Sequence, residues 1–209
     1  MNQYKNNLGS LANSLAFIDS IDERDGCGRG HSRRVSLLAT RLAESTGADE
    51  QVVANIRLGG LLHDVGKASI PQGILSKPGR LNDDEYRVMQ QHPRLGYELL
   101  RDIPGLEAIL PGVLHHHERF DGGGYPSGLR ENEIPQIARI LSISDAFDAM
   151  TSPRCYRVAC SCDQALTELK AESGGQFDPA LVEAFLKIDL EEFSQDVETF
   201  RLHPRRRAA

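Results

Sequence analysis

The stretch ADEQVVANIRLGGLLHDVG, residues 48–66, predicts a helix that carries His63 and Asp64 at its C-terminal end. Gly66 lies two residues after Asp64 and predicts a left-handed residue that ends this helix. An imidazole beside a carboxylate can ligate a metal ion, but taken singly such a pair is explained at least as well as a helix-end pair that satisfies backbone carbonyls. The meaning of the pair therefore depends on what else the chain brings to this helix end.

Helical periodicity extends along most of the chain on both sides of this stretch. Over residues 8–21, apolar residues three and four apart form one helical stripe, made of Leu8, Leu11, Leu15 and Ile18. A second helix is predicted over residues 31–45 and is stopped by Gly47. Further helices are predicted over residues 82–92, 93–103, 105–118, 134–152, 162–172 and 178–188.

Capping signals fix several of these boundaries. Asn82 is predicted to cap a helix together with Glu85, and Asp178 to cap another with Pro179 at its first position. His92 precedes a proline and should lie at a break between two helices. No alternating run of strand type exceeds a few residues, so the sequence predicts an all-α fold.

We expect one domain over residues 10–190, with a lead-in at residues 1–9 and a C-terminal extension with a basic tail at residues 191–209. A formal net charge of -6 argues against binding to a nucleic-acid polymer, which usually requires a basic face. The four cysteines form neither a CxxC pair nor a secreted disulfide framework, and no apolar run is long enough to cross a membrane. We therefore expect a cytoplasmic protein that is not inserted in a membrane.

Histidines and acidic residues recur at predicted helix ends and beside loops. Each has an ordinary explanation when taken singly: His92 could be a surface or capping residue, and the run from His115 to His117 could be a solvated turn. Imidazole and carboxylate groups without thiolates suit iron(II), manganese or zinc in a catalytic site. The set is too large for one ion with open positions, and it comprises His31, His63, Asp64, His92, His116, His117 and Asp145.

The order of the motifs is more specific than any single motif. Six blocks follow one another: GHSRRVSLLATRLA (30–43), LLHDVGKASIPQGILSKPGRL (61–81), MQQHPRLG (89–96), HHERFDGGGYPSGL (116–129), RILSISDAFDAMTSPRCYR (139–157) and GGQFDPALVEAF (174–185). In this order the chain resembles the HD-GYP family, a branch of the HD superfamily of metal-dependent phosphohydrolases. The resemblance covers about residues 10–187 and implies a single-domain HD-superfamily helical bundle.

The resemblance also implies a metal centre. Its ligands would be the seven residues named above, with Asp64 bridging two divalent ions, either iron or manganese, and with zinc or another metal as the alternative. Some family members use an acidic residue one helical turn before the first histidine to hold a third ion, but this chain has Cys27 there. Because neither Glu23 nor Asp25 has the same helical phase, the resemblance favours two ions and leaves a third in doubt.

Substrate contacts follow from the same resemblance. The family's catalytic positions fall on His63, Asp64 and Lys67, and Asp148 is expected to support a ligand. The implied nucleotide contacts are Lys67, Gly124, Tyr125, Arg154 and Arg157. From the residues alone, the two arginines would read as an exposed basic pair and glycines 122–124 as a flexible turn.

The implied activity is a metal-dependent phosphodiesterase that hydrolyses cyclic di-GMP to pGpG, GMP or both. Two adjacent cations can hold a bridging hydroxide as the nucleophile and clamp the phosphoryl oxygens. The alternatives are a phosphodiesterase for cyclic GMP-AMP, a general HD-type nucleotide phosphohydrolase, and a cyclic dinucleotide sensor or interaction module without turnover. Regulatory or signalling protein partners and a homodimer stay open.

Overall fold

The computed structural model describes residues 11–25, 30–152 and 159–190. These residues form helices and no strand, apart from one isolated bridge between Ser173 and Phe177, so the all-α prediction is confirmed. The α-helices are α1 (Leu11–Arg24), α2 (His31–Ser45), α3 (Glu50–Leu62), α4 (Gln72–Leu75), α5 (Asp83–Met89), α6 (His92–Leu100), α7 (Leu110–His115), α8 (Gln136–Thr151), α9 (Cys162–Ala171) and α10 (Pro179–Phe185). Short 3-10 helices cover Val65–Ser69 and Glu131–Glu133. The predicted lead-in at residues 1–9 and the extension at residues 191–209 lie outside the described residues.

The main core lies where α2 packs against α3 and α8. Leu38 and Leu42 of α2 and Ile140 of α8 are fully buried, and α9 and α10 close the same cluster. Phe147 of α8 contacts Phe185 of α10 with ring centroids 5.1 Å apart. This burial of large apolar side chains fixes α8 beside the first residue of α2.

A close crossing sets the relation between α2 and α3. A Cβ atom on Gly60 would lie 2.5 Å from the Cα atom of Ser36, so only glycine permits this approach. The two helices are joined by a short turn, which places the start of α2 beside the end of α3. His31 and His63 are brought together in this way.

A second apolar cluster joins α1, the end of α3, α6 and α7. Its buried members are Ile18, Ile21, Leu62, Val65, Ala68, Leu100, Ile109 and Val113. The cluster fixes the helix ends that precede His63 and His116, and it anchors the far end of α6, whose first residue is His92. No helix among residues 11–25, 30–152 and 159–190 is long and apolar enough to cross a membrane.

Most predicted boundaries agree with the structure. Asn82 and Glu85 form a complete capping box, and the Asp178 side chain caps α10 with Pro179 at its first position. α1 continues three residues beyond the predicted end to Arg24, and α7 is shorter than expected because residues 101–109 form turns, with Gly105 at φ 87°.

The predicted left-handed stop at Gly66 is wrong. Gly66 lies inside the 3-10 helix that follows Asp64, and its φ is not positive. A Cβ atom there would lie 1.9 Å from the carbonyl oxygen of His92 and 2.5 Å from the amide nitrogen of Gly96. The position requires glycine because α6 packs directly on this backbone, which brings His92 to Asp64.

Candidate metal centre

Helix ends position nearly all of the predicted ligands. His31 and His92 are the first residues of α2 and α6, whereas His63 and His116 directly follow α3 and α7. The other three predicted ligands follow such an end or lie on α8. All seven are brought together in two clusters, and within each cluster the candidate ligand atoms lie within 4.8 Å of one another. The His31 cluster comprises His31, His63 and Asp145, and the His92 cluster comprises Asp64, His92, His116 and His117.

Asp64 joins the two clusters through its separate oxygens. Its Oδ2 atom lies 3.5 Å from His31 Nε2 and 3.2 Å from His63 Nε2. Its Oδ1 atom lies 3.2 Å from His92 Nε2 and 3.9 Å from His116 Nε2. Donors bound about 2.1 Å from one ion are roughly 3–3.5 Å apart in tetrahedral or octahedral geometry, so the first three of these distances fit shared coordination and the distance to His116 is longer.

Three histidines are oriented by backbone carbonyl groups three residues earlier, in the last turns of α3, α5 and α7. His63 Nδ1 lies 2.8 Å from the Gly60 carbonyl oxygen, and His92 Nδ1 lies 2.8 Å from that of Met89. His116 Nδ1 lies 2.9 Å from the carbonyl oxygen of Val113. Because a carbonyl can only accept, each Nδ1 carries a proton, and in the neutral ring each Nε2 then keeps its lone pair for a metal.

His31 is oriented by a carboxylate instead. Its Nδ1 lies 2.8 Å from Asp148 Oδ2, which is the support expected from the sequence. Arg34 holds Asp148 in turn with two hydrogen bonds, from Nε to Oδ1 at 2.6 Å and from Nη2 to Oδ2 at 3.0 Å. Arg34 was not predicted from the sequence, because its partner Asp148 lies 114 positions away and no local signal links them.

Two buried histidine nitrogen atoms have no hydrogen-bond partner in the described part of the protein and are therefore candidates to bind a metal ion. His31 Nε2 and His63 Nε2 are the buried side-chain nitrogen or oxygen atoms in the described part of the chain that have no hydrogen-bond partner. In addition, the Nε2 atoms of His92 and His116 are 3.3 Å apart, and both carry lone pairs in the tautomers assigned above. Facing lone pairs and orphaned buried nitrogens are costly unless a cation lies among them.

The pKa values differ between the two clusters. Burial, together with His117, His63 and His92, lowers the pKa of His116 well below its ordinary value, and burial with His92 lowers that of His117 to about 3. In the other cluster burial also disfavours a charged His31, but Asp145, Asp148 and Asp64 outweigh it and raise its pKa well above the ordinary value. His116 and His117 therefore present neutral imidazoles, whereas the carboxylates around His31 favour a positive charge there.

Lys67 lies at the edge of the centre. Its Nζ atom is 2.7 Å from Asp64 Oδ2 and 2.7 Å from Asp25 Oδ2. Asp25 reaches this position because α1 ends at Arg24. The prediction had excluded Asp25 as a metal ligand by assuming that the helix continues through it, and that assumption does not hold. Asp25 is the second site residue that the sequence analysis missed.

The glycine-rich loop packs on the histidine run through Glu118. This buried carboxylate accepts hydrogen bonds from the amides of Ser127 at 2.7 Å and Gly128 at 3.0 Å. His115 Nδ1 lies 3.4 Å from Glu118 Oε1, which agrees with its exclusion from the predicted ligands. Glu118 is the third residue that the sequence analysis missed, although it lies inside the quoted motif.

The loop places an aromatic ring on a candidate ligand. The ring of Tyr125 stacks on that of His117 with centroids 4.9 Å apart and an interplanar angle of 25°. A Cβ atom on Gly124 would lie 2.3 Å from the amide nitrogen of Arg119, so packing inside the loop requires this glycine. Contact of the Gly124 backbone with a nucleotide stays a prediction.

A pocket of about 200 Å³ opens beside the His92 cluster. It is lined by Asp25, Lys67, Ile74, Leu75, Lys77, Gly79, Leu81, Met89, His92, His117 and Tyr125. The volume is below the roughly 300–1,000 Å³ typical of sites that enclose a drug-sized ligand, so this pocket can hold only part of a dinucleotide. The predicted phosphate contacts Arg154 and Arg157 lie outside the described residues.

A helical bundle whose helix ends gather histidines and aspartates into two clusters joined by one carboxylate defines a metal-binding helical domain. Residues 16–181 match the HD domain family, and the chain belongs to this family. This match, together with the relatives described next, confirms the resemblance recognised in the sequence.

The chain is 44% identical over 172 residues to the cyclic di-GMP phosphodiesterase response regulator RpfG of Xanthomonas campestris, covering 80% of this chain and 45% of that protein. It is 38% identical over 173 residues to 3'3'-cGAMP-specific phosphodiesterase 2 of Vibrio cholerae, covering 82% of this chain and 33% of that protein. The chain thus spans less than half the length of either relative. The crystal structure of the cyclic GMP-AMP-specific phosphodiesterase V-cGAP3 of V. cholerae has the same fold, with a TM-score of 0.66, 22% identity, and coverage of 86% of this chain and 48% of that one.

Proposed function

We propose that this chain is a metal-dependent phosphodiesterase that hydrolyses cyclic di-GMP to pGpG, GMP or both. The observation that carries the proposal is the position of Asp64, whose two oxygens face the two histidine clusters separately. One carboxylate shared between two clusters is the arrangement expected of a two-ion centre for phosphoryl transfer. The similarity to RpfG supports cyclic di-GMP as the substrate.

In this proposal the His31 cluster would hold one divalent ion and the His92 cluster the other, with Asp64 shared between them. The donor set of imidazoles and carboxylates favours iron or manganese, with zinc as the alternative. Bound divalent ions supply charge that polarises the phosphodiester and lowers the pKa of water. Elemental analysis of protein purified without oxygen would identify the metal and its stoichiometry.

The chain's own residues have three tasks in this proposal. The carboxylate of Asp148 and the backbone carbonyls keep the histidine rings in one orientation. The ammonium of Lys67, next to Asp64, offsets negative charge that develops on the phosphate oxygens. The loop carrying Gly124 and Tyr125 would face the nucleotide, and Arg154 and Arg157 would bind its phosphates.

The test is incubation of protein loaded with iron(II) or manganese with cyclic di-GMP, followed by chromatography of the products. Asp64→Asn should abolish turnover, because an amide cannot serve two clusters as a shared anionic ligand. Asp84→Asn is a matched control, since the Asp84 side chain is 89% exposed on α5 and pairs only with Arg87 among the described contacts. Absence of linear product with every divalent ion would contradict the proposal.

Cyclic GMP-AMP is the second candidate substrate, and the 38% identity to the V. cholerae enzyme favours it. Incubation with an equal mixture of the two cyclic dinucleotides would rank them by kcat/KM. A sensor without turnover would instead bind cyclic di-GMP equally well after Asp64→Ala or metal removal, and it would release no linear product.

We also propose a cytoplasmic setting, because the sequence has no disulfide framework and its proposed substrate is an intracellular messenger class. Regulatory protein partners and a homodimer belong to the same proposal. Size-exclusion chromatography with light scattering would measure the oligomeric state.

A further inference from the structure

Two lysines line the pocket beside the metal centre, and the proposed function uses only one of them. Lys67 contacts Asp64 and so belongs to the reacting end of the pocket. Lys77 lies between α4 and α5 and lines the same pocket together with Leu75 and Leu81. An ammonium group within an otherwise largely apolar part of a pocket wall is suited to bind an anionic group of a ligand.

Lys77 is held in place by a residue that is itself fixed. Its Nζ atom lies 2.5 Å from Glu85 Oε2, and the same oxygen accepts a hydrogen bond from the Asn82 amide at 2.8 Å. The Asn82 side chain accepts from the Glu85 amide at 2.9 Å, which completes the capping box of α5. Because the capping box anchors Glu85, Glu85 in turn holds the Lys77 ammonium at the pocket wall.

The Lys77 ammonium has three donors and can accept a second anion beside Glu85. The side chains of Lys77 and Glu85 are 33% and 25% exposed, so water screens their attraction and the ion pair itself contributes little to stability. A phosphate oxygen can therefore take a place on the ammonium without breaking a strong buried contact. The hydrogen bonds from Lys77 and Asn82 hold the pKa of Glu85 below its ordinary value, so its carboxylate stays ionised and keeps the ammonium oriented.

We propose that Lys77 binds the second phosphodiester of a cyclic dinucleotide, the one that is not cleaved while the first lies at the metal centre. A cyclic dinucleotide carries two phosphodiesters on one ring, so the surface that binds it, of which this pocket can hold only a part, needs positive charge at two places. This inference rests on the proposed function, since it assumes that part of a cyclic dinucleotide occupies the pocket. It assigns to Lys77 a binding role that neither the sequence motif nor the metal ligands require.

The test compares a substrate with two phosphodiesters and a substrate with one. Metal-loaded wild-type protein and Lys77→Gln are assayed with cyclic di-GMP and with bis(p-nitrophenyl) phosphate, which has a single phosphodiester. Loss of one charge-assisted hydrogen bond to phosphate should raise KM for cyclic di-GMP about tenfold or more. KM and kcat for bis(p-nitrophenyl) phosphate should stay unchanged.

Lys187→Gln is the matched control. Lys187 also forms a lysine–glutamate pair, with Glu183 at 2.9 Å, but it lies beyond α10 and does not line the pocket. This variant should leave both substrates unaffected. Metal content, measured on every variant, shows whether the metal centre is intact.

A binding measurement separates failure of this inference from failure of the proposed function. Inhibition of bis(p-nitrophenyl) phosphate hydrolysis by cyclic di-GMP gives Ki even if the dinucleotide is not cleaved, and Lys77→Gln should raise that Ki about tenfold. If wild type shows this inhibition and its Lys77 dependence but no cleavage, the proposed function fails and the Lys77 inference stands. The Lys77 inference is overturned if the KM or Ki for cyclic di-GMP is the same in wild type and Lys77→Gln. It is also overturned if Lys77→Gln raises KM equally for cyclic di-GMP and for bis(p-nitrophenyl) phosphate. It is also overturned if cyclic di-GMP neither reacts nor inhibits.

Discussion

Replacing Asp148 with asparagine should weaken one metal site and spare the other. Asp148 Oδ2 contacts His31 Nδ1 at 2.8 Å and Arg34 Nη2 at 3.0 Å, while Oδ1 accepts from Arg34 Nε at 2.6 Å. An asparagine has one acceptor oxygen, and its NH2 group must then face an N–H donor of either Arg34 or His31. In the better of the two orientations the amide oxygen still accepts from His31, the charge-assisted hydrogen bond from Arg34 Nε is lost, and the carboxylate charge beside His31 is removed.

The size of the effect follows from that loss. A hydrogen bond to a charged group is worth about 1.5–3 kcal/mol, and removal of a partner that orients a metal-bound histidine costs about 10–100-fold in metal affinity. We therefore expect the ion in the His31 cluster to bind about 10–100-fold more weakly in Asp148→Asn. The His92 cluster should change little, because the described hydrogen bonds of Asp148 go to His31, Arg34 and Ser152 and to none of the four members of that cluster.

The assay is equilibrium dialysis against graded free manganese, followed by elemental analysis of the metal bound per chain. Wild type should bind manganese in two steps, and in Asp148→Asn one of these steps should occur at a higher free manganese concentration. The control is Asp19→Asn, because Asp19 binds the neighbouring Arg33 with the same two-pronged geometry, at 3.0 and 2.8 Å, without touching a histidine. The reasoning is refuted if the control loses metal equally or if Asp148→Asn leaves both steps in place.

Three further predictions concern packing and charge near the centre. Gly66→Ala should destabilise the fold by about 3 kcal/mol in urea unfolding, because its Cβ atom would meet the His92 carbonyl oxygen at 1.9 Å, whereas Gly73→Ala, with nothing within 4 Å, should cost far less. Glu118→Gln should lower the free energy of unfolding by about 1–3 kcal/mol and raise KM for cyclic di-GMP. The reason is that the single side-chain oxygen of glutamine can replace only one of the two carboxylate oxygens that accept from the Ser127 and Gly128 backbone N–H groups. Unchanged values in both measurements would contradict this. Lys67→Met should lower kcat for cyclic di-GMP with metal content retained, and loss of metal together with activity would show instead that Lys67 maintains the centre.

Helix ends could be predicted from the sequence because their signals are local. The capping box at Asn82 and the proline after Asp178 each involve residues three or fewer positions apart. The candidate ligands were likewise found from ordered motifs, and the structure brings all seven of them together. Assignment of those residues as ligands stays a prediction until metal is measured.

Long-range contacts could not be predicted in the same way. Arg34 and Asp148 are 114 positions apart, and Lys67 and Asp25 are 42 apart, so nothing in either local segment indicates the partner. The prediction for Gly66 was wrong for a related reason. A local rule predicted a left-handed residue that ends a helix, but glycine is required there because α6 packs against its backbone. Glycine was read as a signal of backbone conformation where it is a signal of close packing.

The hydrogen bonds from His63, His92 and His116 to carbonyls three residues earlier have a consequence for metal exchange. Each ring is aligned by the helix that precedes it, so the polypeptide and not the ion sets the direction of these lone pairs. An ion can then leave and another can enter without refolding of the surrounding helices. Since imidazole and carboxylate ligands accept several divalent metals, the supply of metals where the protein is made becomes a determinant of which ion it carries.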